Sequence, residues 1–319
     1  MRCLTVTCNT AVDTTYVLDR LTPGAIHRVA RVLPAPGGKG NNVARVLRAL
    51  GHDVVATGFA GGHTGRYISD ALAALGIEPA FLPVPGDSRI CLTLVEEATG
   101  RITEIREPGA EVPPGDDRRL IDHVVALART VEVVAISGSL PPGLPPDFYA
   151  DLVAAVRATG AFVALDSSGP ALRAGLRGRP DLVKPNAEEL AQLLGLADVA
   201  ELTLDVAQRG LADLDLADDA AVLLSLGADG ATLITKTDLV SAVPPAVAVV
   251  NTVGSGDALL AGFLDGRARA ECPADALARA VAVGTAAALQ DAIGVVAYDD
   301  VARLRPRVRI LESPEVRAA

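Results

Sequence analysis

An α/β fold, with a mainly parallel sheet covered by helices on both faces, is what this 319-residue sequence predicts. Short apolar runs alternate with helical patterns along most of the chain. Two stretches break the alternation and read as hairpins. Polar, glycine-bearing turns follow the apolar runs directly, at the strand ends where α/β sheets place ligands.

The alternation opens with Cys3 to Thr7, a helix near Asn41 to Leu50, a strand at Asp53 to Gly58 and a helix near Gly65 to Leu75. It continues with Val131 to Ile136, a helix at Asp147 to Thr159, Phe162 to Asp166, Leu182 to Lys184, a helix at Ala187 to Leu194, and Ala221 to Ser225. A helix between successive strands marks parallel pairing, because a parallel neighbour needs a crossover. Ala246 to Val250 reads as one more strand, leading through Gly254 and Gly256 into an amphipathic helix at Ala258 to Arg269. Val12 to Leu33 and Ser88 to Glu107 differ. In the second, Arg89 to Glu96 and Arg101 to Glu107 flank an Ala-Thr-Gly turn. Strands excluded from a parallel sheet pair elsewhere, so a small separate sheet acting as a lid is expected, formed by roughly residues 12–33 and 88–107. The acidic segment Asp213 to Asp219 reads as a solvated loop.

Half of the residues are hydrophobic and none is Trp, which is enough apolar material for a large core. The net charge of −10 argues against nucleic-acid or membrane-surface binding, since both need a basic face toward phosphate. Cys3, Cys8, Cys91 and Cys272 form no Cys-x-x-Cys pair, and His27, His52, His63 and His123 lack ligand spacing. Reduced thiols, no signal peptide and no apolar run of about 18 residues predict a cytoplasmic protein.

Val253 to Ala258, Val-Gly-Ser-Gly-Asp-Ala, is the most informative motif. Gly254 and Gly256 carry no Cβ, so backbone N–H groups there can approach a ligand, and a helix N-terminus adds unpaired donors and a favourable dipole. That is an anion hole. The charge of Asp257 would compete with an anion, so it suits a base for an attacking hydroxyl; the plainer alternative is an N-cap after a glycine turn. Pro36 to Asn42, Pro-Gly-Gly-Lys-Gly-Asn-Asn, is neither a P-loop nor a dinucleotide fingerprint. Gly37, Gly38, Lys39 and Asn42 can cradle a polyol or phosphate there, or simply form a turn and cap. Ser139 follows a strand in Ser-Gly-Ser-Leu-Pro-Pro-Gly, but lies in no Gly-x-Ser-x-Gly elbow and has no paired histidine, so it is not expected as a nucleophile. Asp166-Ser167-Ser168-Gly169, Val183 to Glu189 and Ser225 to Gly230 supply three more polar strand ends. Asn186 and Glu189 have capping-box spacing; a carboxylate there can also organise magnesium-bound water near nucleotide phosphates. The glycines of Ser225-Leu226-Gly227-Ala228-Asp229-Gly230 suit a tight turn under a ligand. Five such ends on one sheet edge exceed what capping requires.

Together these motifs resemble the PfkB, or ribokinase-like, family of carbohydrate kinases across essentially the whole chain. Gly-Gly-Lys-Gly-x-Asn-Val-Ala at 37–44 and Asn-Thr-Val-Gly-Ser-Gly-Asp-Ala at 251–258 match its two signatures. The intervening blocks look most like its hexose-phosphate branch, which holds tagatose-6-phosphate kinases, 1-phosphofructokinases and minor 6-phosphofructokinases. The resemblance implies one kinase domain over 1–319, Rossmann-like, with a β lid that joins two subunits as a homodimer, and ATP and Mg²⁺ as cofactors. It implies that Asp257 is the catalytic base, with Gly254, Ser255 and Gly256 as its anion hole. Asp13, Gly37, Gly38, Lys39, Asn42 and Ser139 fall at sugar-binding positions. Arg89, together with Arg28 from a second subunit's lid, falls where the substrate's existing phosphate is met, a role suited to bidentate guanidinium. Lys184, Asn186, Glu189, Ser225, Gly227 and Gly230 fall on the nucleotide side, with Glu189 near Mg²⁺ through water.

Two departures stand out. Asn9 is followed by Thr10 where that branch has proline, which alters the turn that places Asp13. The segment after Arg89 reads Ile-Cys-Leu-Thr without the Asn-x-Lys associated with 1-phosphofructokinases. With Val-Ala-Thr-Gly at 55–58, this favours transfer from ATP to the C1 hydroxyl of tagatose 6-phosphate or fructose 6-phosphate. A 1-phosphofructokinase acting on fructose 1-phosphate, a nucleoside or unphosphorylated-sugar kinase, and a non-catalytic sugar-phosphate sensor are the alternatives.

Overall fold

The apolar runs pair as strands that helices cover on both sides. The structure, a computed structural model, describes residues 1–211, 214, 216–217 and 219–312; Asp213, Asp215 and Asp218 of the acidic segment lie outside the described residues.

From the central strand β1 (Arg2–Thr7) the chain leaves for a small second sheet as β2 (Ala11–Leu18) and β3 (Arg31–Gly37). It returns through α1 (Lys39–Ala49), β4 (Asp53–Ala60) and α2 (Gly62–Ala74), then adds two short strands, β5 (Glu78–Pro79) and β6 (Leu82–Pro83). A second excursion supplies β7 (Arg89–Glu96) and β8 (Ile102–Arg106). The βα alternation then runs α3 (Asp116–Ala128), β9 (Val133–Ser137), α4 (Phe148–Arg157), β10 (Phe162–Asp166), α5 (Gly169–Leu176), β11 (Leu182–Val183) and α6 (Ala187–Leu194). After α7 (Leu204–Gly210) come β12 (Ala221–Ser225), β13 (Ala231–Ile234) and β14 (Leu239–Val243). The chain ends with α8 (Ser255–Ala268), α9 (Pro273–Ala288), α10 (Tyr298–Leu304) and β15 (Arg309–Glu312).

In the main sheet the order is β15-β14-β13-β12-β11-β10-β9-β1-β4-β5, with β6 also on β4. All pairings from β12 to β4 are parallel. The small sheet, β3-β2-β7-β8, is separate, as expected. Its first excursion runs to Gly37, beyond the anticipated Leu33.

Two expectations fail at the C-terminal side. Ala246 to Val250 is not a strand; the antiparallel edge is made by β13, β14 and β15 instead. Pro244 and Pro245 carry no N–H for a ladder and end β14 early. The Val250 and Asn251 N–H groups donate to Ala288 O at the end of α9. Nor is α8 amphipathic: every residue from Asp257 to Gly266 is buried. A helix buried all round sits in the core. α9 packs closely along it because Gly262 and Gly266 leave room; an added Cβ would lie 2.8 Å from Val283 Cβ and 2.7 Å from Ala276 Cα.

Two apolar layers flank the sheet. Val43 and Leu47 of α1, Leu260 and Leu264 of α8 and Val283 of α9 pack on one face; Leu120 of α3, Phe148 and Leu152 of α4 and Leu172 of α5 pack on the other. Among the described residues, no helix is long and apolar enough to cross a membrane.

Near its C-terminal end α8 is held by a charge network. The Asp265 carboxylate, fully buried, lies 2.9 Å from His52 Nε2, 2.9 Å from Arg269 Nε and 3.2 Å from Arg279 Nη1. Truncating one partner of a buried charge network strands the others. Asp265→Ala is therefore expected to destabilise the protein by about 3–5 kcal/mol, read from denaturant unfolding at neutral pH.

Candidate active site

Parallel pairing sets the C-terminal ends of β1, β4, β9, β10, β11 and β12 along one edge of the sheet, and the polar turns collect there. At its centre lies Asp166, the last residue of β10 and fully buried. Lys39 Nζ donates to Asp166 Oδ1 at 2.8 Å. Lys184 Nζ lies 3.1 Å from Oδ2, an ion pair without hydrogen-bond alignment. Burial pushes the Asp166 carboxyl up, but Lys184 and Lys39 outweigh it and hold it below the usual carboxylate range. Burial works against the Lys39 charge too; Asp166 and then Asp257 overcome this and raise its pKa.

Asp257 sits in the first turn of α8. Gly254, not Asp257, is the N-cap residue: its φ of 82° is left-handed, where a side chain is strained. The capping alternative for Asp257 is thus set aside, and its carboxylate is free for another role. Asn42 Nδ2 donates to Asp257 Oδ2 at 2.9 Å. Burial and, next, the charge of Asp166 push its pKa up to about 7, against the pull of Lys39, Asn42 and Lys184. Ser255 N–H donates to Thr252 O at 3.2 Å, so it is turned away from an anion. The remaining donors of the helix start stay available. Ser255 Oγ and Asn42 Oδ1 are buried without a partner among the described residues. A Cβ added at Gly256 would lie 3.4 Å from Lys184 Nζ, so that ammonium group and the helix start share one space.

On the small sheet, Asp13 Oδ2 accepts the Gly38 N–H at 3.3 Å. Gly37 makes room for it: a Cβ there would meet the Asp13 carboxyl at 2.1 Å. Burial pushes the Asp13 carboxyl up, opposed by that N–H and by Arg89, Arg106 and Arg45. Arg89 donates through Nε and Nη2 to Asn9 O at 3.3 and 3.2 Å, and through Nη1 to Glu107 O at 3.2 Å. Three of its donors therefore hold backbone. Ser139 Oγ accepts from Asn9 Nδ2 at 3.3 Å. Arg28 lies in the exposed loop between β2 and β3, and the structure does not bring it to the other candidates within this chain.

On the other side, Asn186 and Glu189 form the reciprocal capping box at α6, with bonds of 2.9 and 2.8 Å. Ser225 donates to Pro185 O through N–H at 3.0 Å and through Oγ at 3.3 Å, tying β12 to the end of β11. Gly227 opens on free space, but Gly230 answers to packing: its Cβ would meet Ala242 O on β14 at 2.0 Å. Packing therefore accounts for Gly230, and the space beside Gly227 is left open.

Sequence reasoning missed Asp166 and Asn9 as site residues. Asp166 was visible only as one more polar strand end. Its signal is being an acid where two lysine-bearing turns converge, which needs the strand order. Asn9 stitches crossings of the small sheet, donating to Pro108 O at 3.0 Å.

A buried acid at a helix start, the buried Lys184, the half-buried Lys39 and orphaned polar atoms at a parallel-sheet edge suit phosphoryl transfer. The pfkB family carbohydrate kinase profile matches residues 6–294. The chain belongs to that family, and it is a carbohydrate kinase. It is 34% identical over 314 residues to a tagatose-6-phosphate kinase of Staphylococcus epidermidis, covering 97% of this chain and 99% of that one. It is 39% identical over 274 residues to a 1-phosphofructokinase of Rhodobacter capsulatus, covering 83% of each. Among solved structures, phosphofructokinase-2 of Escherichia coli in complex with substrates and products superimposes with a TM-score of 0.85 at 28% identity, over 96% of this chain and 99% of that one.

Gly254 offers a test of how the helix start is set. A Cβ there would lie 2.8 Å from Ile293 Cγ2 on a left-handed backbone. Gly254→Ala is expected to lower stability by about 1–3 kcal/mol, seen as a reduced midpoint of thermal unfolding.

Proposed function

We propose that the chain is a hexose-phosphate kinase that transfers the γ-phosphoryl group of ATP to the C1 hydroxyl of a ketohexose 6-phosphate. The observation that carries this is Asp257, buried in the first turn of α8, held by Asn42 and poised at about 7. A group of that pKa can take a hydroxyl proton near neutral pH, which is general-base work. Gly254 and Gly256 with their backbone N–H groups and Ser255 with its hydroxyl surround the transferring group, while Lys39 and Lys184 meet its charge. Asp13, Gly37, Gly38, Asn42 and Ser139 hold the sugar. Arg89, and Arg28 from a second copy of the chain, meet the phosphate already present. Supporting that second copy, Val32, Ile90 and Ile105 on the small sheet are exposed; by register they lie on the face opposite Asp13.

Lys184, Asn186, Glu189, Ser225, Gly227 and Gly230 take the nucleotide side. Among the described residues no three His, Cys, Asp or Glu side chains could hold a metal ion. One Glu189 oxygen is committed to its cap. These residues fit Mg²⁺ held outside the protein's direct ligands, since Mg²⁺ keeps several waters and binds through phosphates plus one or two carboxylates. Glu189 would hold it through water, and the ion would neutralise phosphate charge.

Fructose 1-phosphate is the second reading, favoured by the 39% identity to a 1-phosphofructokinase. ADP release against tagatose 6-phosphate, fructose 6-phosphate and fructose 1-phosphate decides between them. Fastest turnover of fructose 1-phosphate overturns the first reading. Removing both Arg28 and Arg89 is expected to raise KM for the sugar phosphate about tenfold or more, because hydrogen bonds to charged groups contribute about 1.5–3 kcal/mol.

Asp257→Asn is expected to lower kcat by about 10²-fold or more. The carboxylate is the active form, so wild-type activity falls as pH drops through about 7. Replacing Asp166 by Asn removes a repulsion that raises Asp257, and so moves that acid limb to lower pH. Stability runs the other way. Because the folded pKa of Asp257 is raised, its contribution is fully present below about pH 3.9 and lost as pH rises through about 7. At pH 8, Asp257→Asn should therefore unfold at a higher temperature than wild type; an equal or lower midpoint contradicts the raised pKa.

A further inference from the structure

The small sheet joins the main body at four crossings: after β1, before α1, before β7 and after β8. Two residues at these crossings, Thr10 and Ser88, are polar and buried, and the proposed chemistry uses neither. Thr10 Oγ1 donates to Phe59 O at 2.7 Å and lies 3.1 Å from Ser88 Oγ. The Gly61 N–H donates to Ser88 Oγ at 3.0 Å. Thr10 has one hydroxyl proton and Phe59 takes it, so Ser88 must donate to Thr10. The relay therefore has one direction, Gly61 N–H to Ser88 to Thr10 to Phe59 C=O, starting and finishing at the C-terminal end of β4. Ser88 is pinned through its backbone as well: its N–H donates to Gly61 O at 3.0 Å, and its carbonyl accepts from Thr64 Oγ1 at 2.7 Å.

We propose that Thr10 and Ser88 are positioning residues for the sugar phosphate, their hydroxyl relay fixing both strands that enter the small sheet and thereby Asp13 and Arg89. Arg89 directly follows Ser88, and Asp13 stands early on β2. β2 and β7 are parallel neighbours, with Ala11 opposite Arg89 and Asp13 opposite Cys91, so one tie at their shared start sets both side chains. Arg89 closes the same joint by donating to Asn9 O. The ties lie outside α8 and the nucleotide turns. Their loss should then weaken sugar-phosphate binding while sparing turnover and ATP. This role rests on the assignment of Asp13 and Arg89 to the sugar phosphate.

The test compares Thr10→Val, Thr10→Ser, Ser88→Ala, the Thr10→Val/Ser88→Ala double variant and Asp13→Asn. Calorimetry without ATP measures binding of tagatose 6-phosphate, fructose 6-phosphate and fructose 1-phosphate, and ADP release gives kcat and both KM values for the one turned over fastest. Thr10→Val and Ser88→Ala should each weaken binding about fivefold or more, the effect of a lost buried hydrogen bond. Their kcat and KM for ATP should stay within about twofold of wild type, and Thr10→Ser should restore binding. The double variant should be scarcely worse than either single one, because both break one relay. Unchanged sugar-phosphate affinity in Thr10→Val overturns the proposal, as does a loss confined to kcat or shared equally by ATP. Asp13→Asn separates the two levels. If it weakens binding while Thr10→Val does not, only the relay fails; if it leaves binding unchanged, the sugar-site assignment fails and the relay's role with it.

Discussion

Asp166 accepts Lys39 on one carboxylate oxygen and faces Lys184 with the other, and the surroundings are organised by that pairing. A carboxylate with no exposed surface would take up a proton if left alone. Two lysines keep it ionised, and it in turn keeps Lys39 charged. Two ammonium groups against the Asp166 carboxylate leave one positive charge at the edge of the sheet while Asp257 holds its proton, and Asp257 offsets that charge once it ionises. The three residues come from the start of α1, the end of β10 and the turn after β11, so they tie three elements together, and removing Asp166 strands the buried Lys184. The two lysines, assigned by resemblance to opposite substrates, are thereby bound to one carboxylate. On that assignment, sugar side and nucleotide side share a charge balance.

α8 shows how neighbours, not residue type, decide what a buried aspartate does. Asp257 and Asp265 lie on the same buried helix. Burial pushes both carboxyls up. At Asp265 the hydrogen bonds from His52 and Arg269, with the charges of Arg269 and Arg279, outweigh burial and hold the group down. At Asp257 the largest influence after burial is the charge of Asp166, another carboxylate, so the group rises to about 7. The first is a permanent anion that anchors the helix; the second can exchange a proton near neutrality. Pushing two titratable groups apart in this way separates structural from chemical roles.

What the sequence made legible follows from where the information is local. Parallel strands buried on both faces read as apolar runs, and the helices between them force the crossovers, so β1, β4, β9, β10, β11 and β12 were visible. The capping box at Asn186 and Glu189 is local chemistry and stands as expected. The antiparallel edge was not visible because Ala246 to Val250 is apolar enough for a strand, and only the two prolines before it decide the matter. α8 looked amphipathic because its buried side is the whole circumference, and Gly262 and Gly266 mimic a polar face in the pattern. Asp166 escaped for a different reason: its partners are contributed by the sheet order, and nothing adjacent in the chain marks them.

On the proposed assignment, the small sheet separates substrate choice from phosphoryl transfer. The family signatures lie in the turns at 37–44 and 251–258, at the starts of α1 and α8. Relatives named for different hexose phosphates match this chain across most of its length. Arg89, assigned to the substrate's phosphate, and Asp13, assigned to the sugar, lie on strands that hang from four crossings, and their geometry depends on how those crossings are held. At position 10 a proline would restrict the backbone through its ring. Threonine restricts it instead through hydrogen bonds to Phe59 and Ser88, which bind the joint to β4 as well as stiffening it. The departure at Thr10 thus moves the rigidity of the turn from covalent geometry to a buried polar contact. That contact reaches β2 and β7 together, so a change at the joint alters the placement of Asp13 and Arg89 as a pair and leaves the Asp166 balance intact.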